Sequence, residues 1–411
     1  MTWGCALCLS LVVWATLVTA THYVWPLAFL GLGVLAVHIT DWALKGLNNL
    51  TNKAILSQGH TRDKAVLITG CDTGFGHMLA ERLDHLGFKV YAGCLNPNGE
   101  GPLRLKAGAS YDLKTIKLDV TKDSDVRAAY DFVQTDIGNS KLWAVVNNAG
   151  IGEISEIEWC SMSTYQRVLD INTLGPIRIT KAFLPLLRDY NGGRVVIVAS
   201  LAARYTFAGF SAYSMSKHAA VSFADALRLE MNKWNISVHT VEPTLYRTQI
   251  ASESYYMKAL NQTWENLSED IRNSYGNEYL KDYKSFIHEH LNRALPTEKI
   301  AEVVDDMVHA VAGIQPKSRY VPNIKTQIRA RILGMLPTDL VDDIMLRDLP
   351  STPPADIERR KSQHLIDPRI GPGGQRLKRI FSMPSLQIKR SPSPKIGDFF
   401  TFPIVKENLE E

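Results

Sequence analysis

Six short apolar runs, regularly spaced between residues 65 and 243, constrain this chain more than any other feature. They read "AVLIT" (65–69), "KVYAG" (89–93), "TIKLDV" (115–120), "LWAVVNN" (142–148), "RVVIVAS" (194–200) and "SVHTVEP" (237–243). Each is nearly continuous in apolar residues rather than alternating with polar ones. That is the pattern of strands buried on both faces, as in a parallel sheet. Between them lie stretches such as "GHMLAERLDHLG" (76–87) and "HAAVSFADALRLEMNKW" (218–234), whose apolar residues recur at helical spacing. Strand–helix alternation predicts an α/β fold with a doubly wound parallel sheet. "RYVP" (319–322) would add a seventh strand, and the Tyr- and Trp-rich residues 250–345 a helical substrate cap. The 411 residues allow one such domain with appendages.

The two ends differ from this middle. Residues 1–40 contain no Asp, Glu, Lys or Arg. As one helix they would reach roughly 60 Å, twice the ~30 Å hydrocarbon core of a bilayer. His22 and Pro26 fall where a break is expected, so the reading is N-terminal membrane helices near 3–20 and 24–40, or one span with an interfacial segment. Val18-Thr19-Ala20 resembles a signal-peptidase site, but no basic region precedes it and a second apolar run follows, so an anchor within 1–45 is preferred. Absence of Arg argues against a mitochondrial transit peptide. Lys45, Lys53, Arg62 and Lys64 then place the domain, residues 62–345, on the cytosolic side. The Asn-x-Ser/Thr triplets at Asn49, Asn235, Asn261 and Asn266 are the opposing sign. From 350 to 411, "STPPAD", "GPGG" and "RSPSPK" predict a basic, mostly disordered tail. The net charge of +4 is too small to argue for nucleic acid, and the five cysteines suggest neither a disulfide framework nor a metal site.

"VLITGCDTGFG" (66–76) joins the first strand to the first helix with Gly70, Gly74 and Gly76. A tight turn and the close approach of a pyrophosphate both require glycine there, and the helix N-terminus offers N–H groups to an anion. "YSMSK" sets Tyr213 and Lys217 four residues apart, on one helix face. A tyrosine of pKa ≈ 10 is a poor acid–base group at neutral pH. An ammonium about 4 Å away is worth roughly 4 kcal/mol at an effective dielectric of 20, about three pKa units, enough to bring the phenol near working pH.

These motifs resemble the short-chain dehydrogenase/reductase family, whose TGxxxGxG signature the glycine loop matches and whose fold is a Rossmann sheet. "NNAG" (147–150) and Asp119 in "LDV" match its next elements. The resemblance implies cofactor contacts at Gly70, Asp72, Thr73, Gly74, Phe75, Gly76, Asp119, Val120, Asn147, Ala149 and Gly150. It implies catalysis by Tyr213, with Lys217 lowering its pKa and binding the nicotinamide ribose. Ser200, thirteen residues before Tyr213, would hold the substrate oxygen. Asn172 in "DINTLGP" would relay a proton, although a helix kink or a backbone bond explains it equally. In "EPTLYRT" (242–248), Pro243 and Thr248 match cofactor-binding positions, but Thr244 replaces the family's glycine and leaves that turn in question.

"TGCDTGFG", "VYAGCL" and "SKHAAVSFADALRLEM" are similar to the membrane-associated branch of the family, which includes retinol, 17β-hydroxysteroid and 3-hydroxybutyrate dehydrogenases. That likeness implies a small apolar alcohol or ketone as substrate, a homodimer, and residence at a membrane, the endoplasmic reticulum. NAD is expected over NADP, because neither Thr73 nor the Gly93-Cys94-Leu95 strand end supplies a cation for a 2′-phosphate. The carboxylate that usually holds the ribose diol is missing there too, and Asp72 is its stand-in. Two alternatives remain open: an NADPH-dependent carbonyl reductase or hydroxyacid dehydrogenase, and a membrane-tethered scaffold that retains the nucleotide fold without catalysis.

Overall fold

The computed structural model describes Trp25 and residues 28–41, 54–190, 192–248, 252–346 and 349–366. Seven strands form one parallel sheet in the order β3-β2-β1-β4-β5-β6-β7. They are β1 (Lys64–Thr69), β2 (Lys89–Cys94), β3 (Leu113–Lys117), β4 (Lys141–Asn147), β5 (Arg194–Val198), β6 (Ser237–Val241) and β7 (Arg319–Tyr320). Every expected strand is present, including the short seventh, which pairs Thr240 with Arg319 and Val241 with Tyr320. The order reverses between β1 and β4, and doubly wound sheets bind ligands in the crevice at such a switch point.

The continuous apolar runs are explained by two cores, one on each sheet face. Val66 and Ile68 of β1 pack into one with α1 (Gly74–His85) and α9 (Ile300–Ala312). Ala65 and Leu67 pack into the other with α3 (Asp123–Asp136), α5 (Gly175–Arg188) and α6 (Ser211–Met231). Each fully buried aliphatic side chain in these layers stabilises the fold by about 1.5–3 kcal/mol. α2 (Glu100–Gly108) follows β2, and α4 (Met162–Leu169) leads through a π-helical turn, Asp170–Leu174, into α5.

The cap has a core of its own. α7 (Glu253–Glu265) and α8 (Glu269–Asn292) enclose Trp159, whose ring stands edge-on to Trp264, Tyr275 and Tyr283 at 5.2, 5.0 and 5.1 Å. Tyr256, Tyr279 and Tyr283 are buried here, so most of the cap's aromatic content is helix packing. Tyr246 belongs elsewhere: it packs edge-on to Phe75 at 6.0 Å, in the core beneath the glycine loop.

α10 (Ile324–Met335), α11 (Thr338–Leu346) and α12 (Ala355–Ile366) follow β7. α12 lies in the segment expected to be disordered. Asp282 of α8 receives the Ser351 and Thr352 N–H groups at 2.8 and 2.7 Å, and Arg359 donates to the Asn273 carbonyl. Gly276, at φ +82°, lets α8 pass Ala355 where a Cβ would stand 2.9 Å from it. The folded chain therefore runs some twenty residues past the boundary read at 345, and the tail beyond 366 lies outside the described residues.

At the N-terminus, residues 28–41 are helical, with their apolar side chains exposed. Among the described residues no helix is long and apolar enough to cross a membrane. The span expected near 3–20 lies outside the described residues.

Candidate active site

The glycine loop is built by steric exclusion. Gly70 and Gly74 have φ of +70° and +65°, a region that disfavours any side chain. A Cβ on Gly70 would stand 2.8 Å from the Ala149 Cα; one on Gly76 would stand 2.4 Å from both the Gly70 carbonyl and the Asn148 amide. A Cβ on Gly74, by contrast, would meet only the Thr248 side chain, at 3.9 Å, among the described residues outside its own helix. Thr73, at the N-cap of α1, places no side-chain bond on the first-turn N–H groups. Such an open helix start suits a phosphate. The loop is bolted to the end of β4: Thr69 Oγ1 accepts from the Asn148 and Ala149 N–H groups at 3.0 Å each, and Asn148 Nδ2 donates to the Thr69 and Gly70 carbonyls. Thr69 and Asn148 were not singled out by the sequence. Their signal was position, the last residue of a strand and the second Asn of "NNAG".

Asp72 does not stand in the open. Its two carboxylate oxygens accept the Leu95 and Asn96 N–H groups at 2.9 and 3.0 Å, which pins the β2 exit to the glycine loop. Its charge lies at the strand end where the sequence lacked a carboxylate. The expectation that no cation comes near is corrected, because Lys106 of α2 reaches the same loop and donates to the Pro97 carbonyl at 3.3 Å. Asp119 faces inward to Thr121, which donates its N–H and hydroxyl to Oδ1 at 3.0 and 2.7 Å. Burial pushes that carboxyl up, but the Thr121 bonds hold it below its ordinary value. Val120 packs where Gly175 lets α5 approach, since a Cβ there would stand 2.7 Å from it. Asn147 is buried, with Nδ2 on Thr180 Oγ1 at 3.0 Å and Oδ1 without a partner among the described residues.

Ser200, Tyr213 and Lys217 converge beyond the end of β5. Ser200 accepts the Ala202 N–H at 3.1 Å and shares a hydrogen bond with the Tyr213 phenol. Lys217 Nζ lies 5.8 Å from the centre of the Tyr213 ring, near the limit for a cation–π contact. It donates to the Val198 carbonyl at 3.0 Å, and a Cβ on Gly150 would stand 3.4 Å from it. The two side chains thus share one face of α6, as their spacing requires.

The electrostatics correct the sequence reading. Burial raises the Tyr213 phenol above its ordinary value, and the Ser200 bond offsets only part of this. Burial brings Lys217 down to about 8. The ammonium donates to the Val198 carbonyl and lies 5.8 Å from the ring centre. The chain alone therefore does not make this phenol acidic.

Asn172 is the buried centre of the π-helical turn. Its Oδ1 accepts the Ile151 N–H at 2.9 Å, while Nδ2 donates to the Ile151 carbonyl and to Ser216 Oγ at 2.9 and 3.0 Å. Its side chain is thus held by the Ile151 backbone and the Ser216 hydroxyl. Single π turns often mark functional sites because they displace a backbone carbonyl from the helical ladder. At "EPTLYRT", Thr244 does not adopt a left-handed φ, so this turn does not need the missing glycine. Pro243 O accepts the Leu201 N–H at 3.0 Å and Ser200 Oγ at 3.5 Å. The sequence also passed over Glu242. This fully buried carboxylate takes a two-point grip from Arg204 at 2.6 and 2.9 Å, and a bond from Thr240 Oγ1 at 2.8 Å. A charge placed in an apolar run was its only signal.

A parallel sheet with a glycine cradle at its switch point, and a Ser–Tyr–Lys group beyond the neighbouring strand, defines a dinucleotide-binding oxidoreductase fold. The chain belongs to the short-chain dehydrogenase family, which matches residues 64–259. It is 38% identical over 305 residues to retinol dehydrogenase 16 of Rattus norvegicus, covering 73% of this chain and 94% of that one. It is 36% identical over 292 residues to 17-beta-hydroxysteroid dehydrogenase type 6 of Bos taurus, covering 71% and 90%. A short-chain dehydrogenase/reductase from Burkholderia phymatum, crystallised in complex with NAD, shares the fold: TM-score 0.54, 21% identity, 71% of this chain and 97% of that one.

Proposed function

We propose that this enzyme transfers a hydride between a nicotinamide dinucleotide and a small apolar alcohol of steroid or retinoid type. The observation that carries the reading is the convergence of Ser200, Tyr213 and Lys217 beside a loop whose glycines leave room for a pyrophosphate. The relatives' names, retinol and 17-beta-hydroxysteroid dehydrogenase, support the substrate class.

The residues fit the dinucleotide. Gly70, Gly74, Gly76 and the start of α1 would hold its phosphates. Asp72, Thr73 and Phe75 would flank them; Asp119 and Val120 would meet the adenine end; Asn147, Ala149, Gly150, Pro243 and Thr248 would line the nicotinamide end. When bound, the cofactor supplies the hydride acceptor and a positive ring. Ser200 holds the substrate oxygen. Tyr213, once ionised, takes the hydroxyl proton, and Lys217 keeps the phenolate paired. Asn172, through its turn, fixes the wall on which Lys217 rests. NAD is favoured because Asp72 puts a carboxylate at the β2 exit, against a 2′-phosphate; Lys106 is the opposing charge.

Turnover of the purified full chain with NAD and with NADP, against a 17β-hydroxysteroid, retinol and 3-hydroxybutyrate, tests this. Oxidation of the steroid or retinol with NAD is expected. Activity confined to 3-hydroxybutyrate or to the phosphorylated cofactor would overturn it. The second reading, carbonyl reduction, runs the same step in reverse, with Tyr213 giving its proton to the substrate oxygen.

Membrane residence, with the domain on the cytosolic face of the endoplasmic reticulum, belongs to the same proposal. Its support is the exposed apolar helix at 28–41. So does a homodimer through α5 and α6.

A further inference from the structure

We infer that α10 (Ile324–Met335) docks flat on an anionic lipid surface. Ile324, Ile328, Ile332 and Met335 are 59, 39, 42 and 75% exposed. At about 100° per residue they fall within an arc of about 80° on the helix. Leu333 lies on the opposite face and is buried against Leu201 and Tyr205. The helix is thus seated by one side and bare on the other, and the bare side is apolar. A stripe this continuous is the usual mark of a binding surface rather than of scattered exposed residues.

The charges choose the occupant. Lys325 and Arg329 flank the stripe on one side and Arg331 on the other, and the helix contains no Asp or Glu. A second copy pairing stripe to stripe would bring like charges together, because a two-fold interface meets itself. An anionic headgroup layer instead meets the basic flanks while the isoleucines enter the acyl boundary, the arrangement of interfacial helices. α11 carries Asp339, Asp342 and Asp343, so lipid contact should end near Met335. This surface goes beyond the proposed reaction and does not depend on it.

The experiment uses the full chain in phosphatidylcholine vesicles, with and without phosphatidylserine, containing brominated acyl chains. Cys5, Cys8 and Cys160 are replaced by serine, and a fluorescent label is placed at Ile328→Cys or Ile332→Cys. The reference label is Tyr111→Cys, at an 87% exposed position before β3. Melting curves check that each variant is folded. Quenching at 328 and 332, stronger with phosphatidylserine and absent at 111, is expected. Neutralising Lys325→Gln, Arg329→Gln and Arg331→Gln should lower the docked-to-undocked ratio about fivefold for each charge removed. Absence of quenching at both sites, equal quenching at 111, or a label signal that follows protein concentration rather than lipid would overturn the inference. Full quenching of the neutralised variant would overturn its electrostatic basis.

Discussion

The glycine loop and the Ser200–Tyr213–Lys217 group lie at the same end of the sheet, but they are prepared to different degrees. The loop is finished: its shape is dictated by backbone φ and by contacts near 2.4 Å that only glycine permits, and Thr69 and Asn148 hold it from behind. The reacting group is assembled in position but not in charge. Burial favours the neutral phenol and the neutral amine. Sterics can be settled by the fold alone. An acid strength also depends on which charges share the cavity, so the last part of the chemistry waits for the bound cofactor.

The largest expected effect tests the second region. Tyr213→Phe should lower turnover by about 10²–10⁴-fold, the usual worth of a general acid–base group, while leaving nucleotide affinity nearly unchanged. Kinetics and equilibrium binding on the same preparation separate the two; equal losses in both would erase the distinction between the regions.

The next test reads charge directly. Lys217 loses its proton near 8 in the folded chain and near 10.5 when unfolded. Between those values the unfolded chain holds more protons, so stability rises with pH. Lys217→Met should remove that rise, worth at most roughly 3 kcal/mol, as seen in denaturant titrations across the window. Identical slopes for the two proteins would mean that the amine is not desolvated.

Gly76→Ala tests the first region. Its Cβ meets a backbone carbonyl that cannot swing away. It should cost about 1–3 kcal/mol of stability by overpacking and weaken nucleotide binding, read by thermal melting with and without NAD. The smallest effect belongs to Asp72→Asn, which keeps the shape and one of the two N–H bonds, now neutral, but sets its NH2 against the other N–H. A loss of about 1 kcal/mol is expected, with a shift of nucleotide preference toward NADP seen in the ratio of kcat/KM values.

Much of the sheet was legible because strands buried on both faces must be apolar throughout, and the chain order of the motifs placed the glycine loop and Tyr213. What stayed hidden was direction. Spacing put Lys217 beside Tyr213, but only the packing of α6 under β5 turns its Nζ to the Val198 carbonyl. The amide partners of Asn172, Ile151 and Ser216, lie 21 residues before it and 44 after it, so "DINTLGP" alone gives no sign of them. Nothing local to Asp72 indicates that the β2 exit will fold back over it. The prolines and basic residues around α12 suggest a tail, whereas its partner, the Asn273 carbonyl, lies far back in the sequence.

The clasp between Arg204 and Glu242 joins the strand exits that carry Ser200 and Pro243. Glu242 is wholly enclosed and Arg319 also reaches it at 3.4 Å, so loss of Arg204 would leave a charge held away from water with one partner in place of two. The two exits are therefore inherited as a single part. A chimera that borrows one of them from a relative without the other would join mismatched halves, and attempts to re-tailor the pocket should exchange residues 199–205 and 241–248 together.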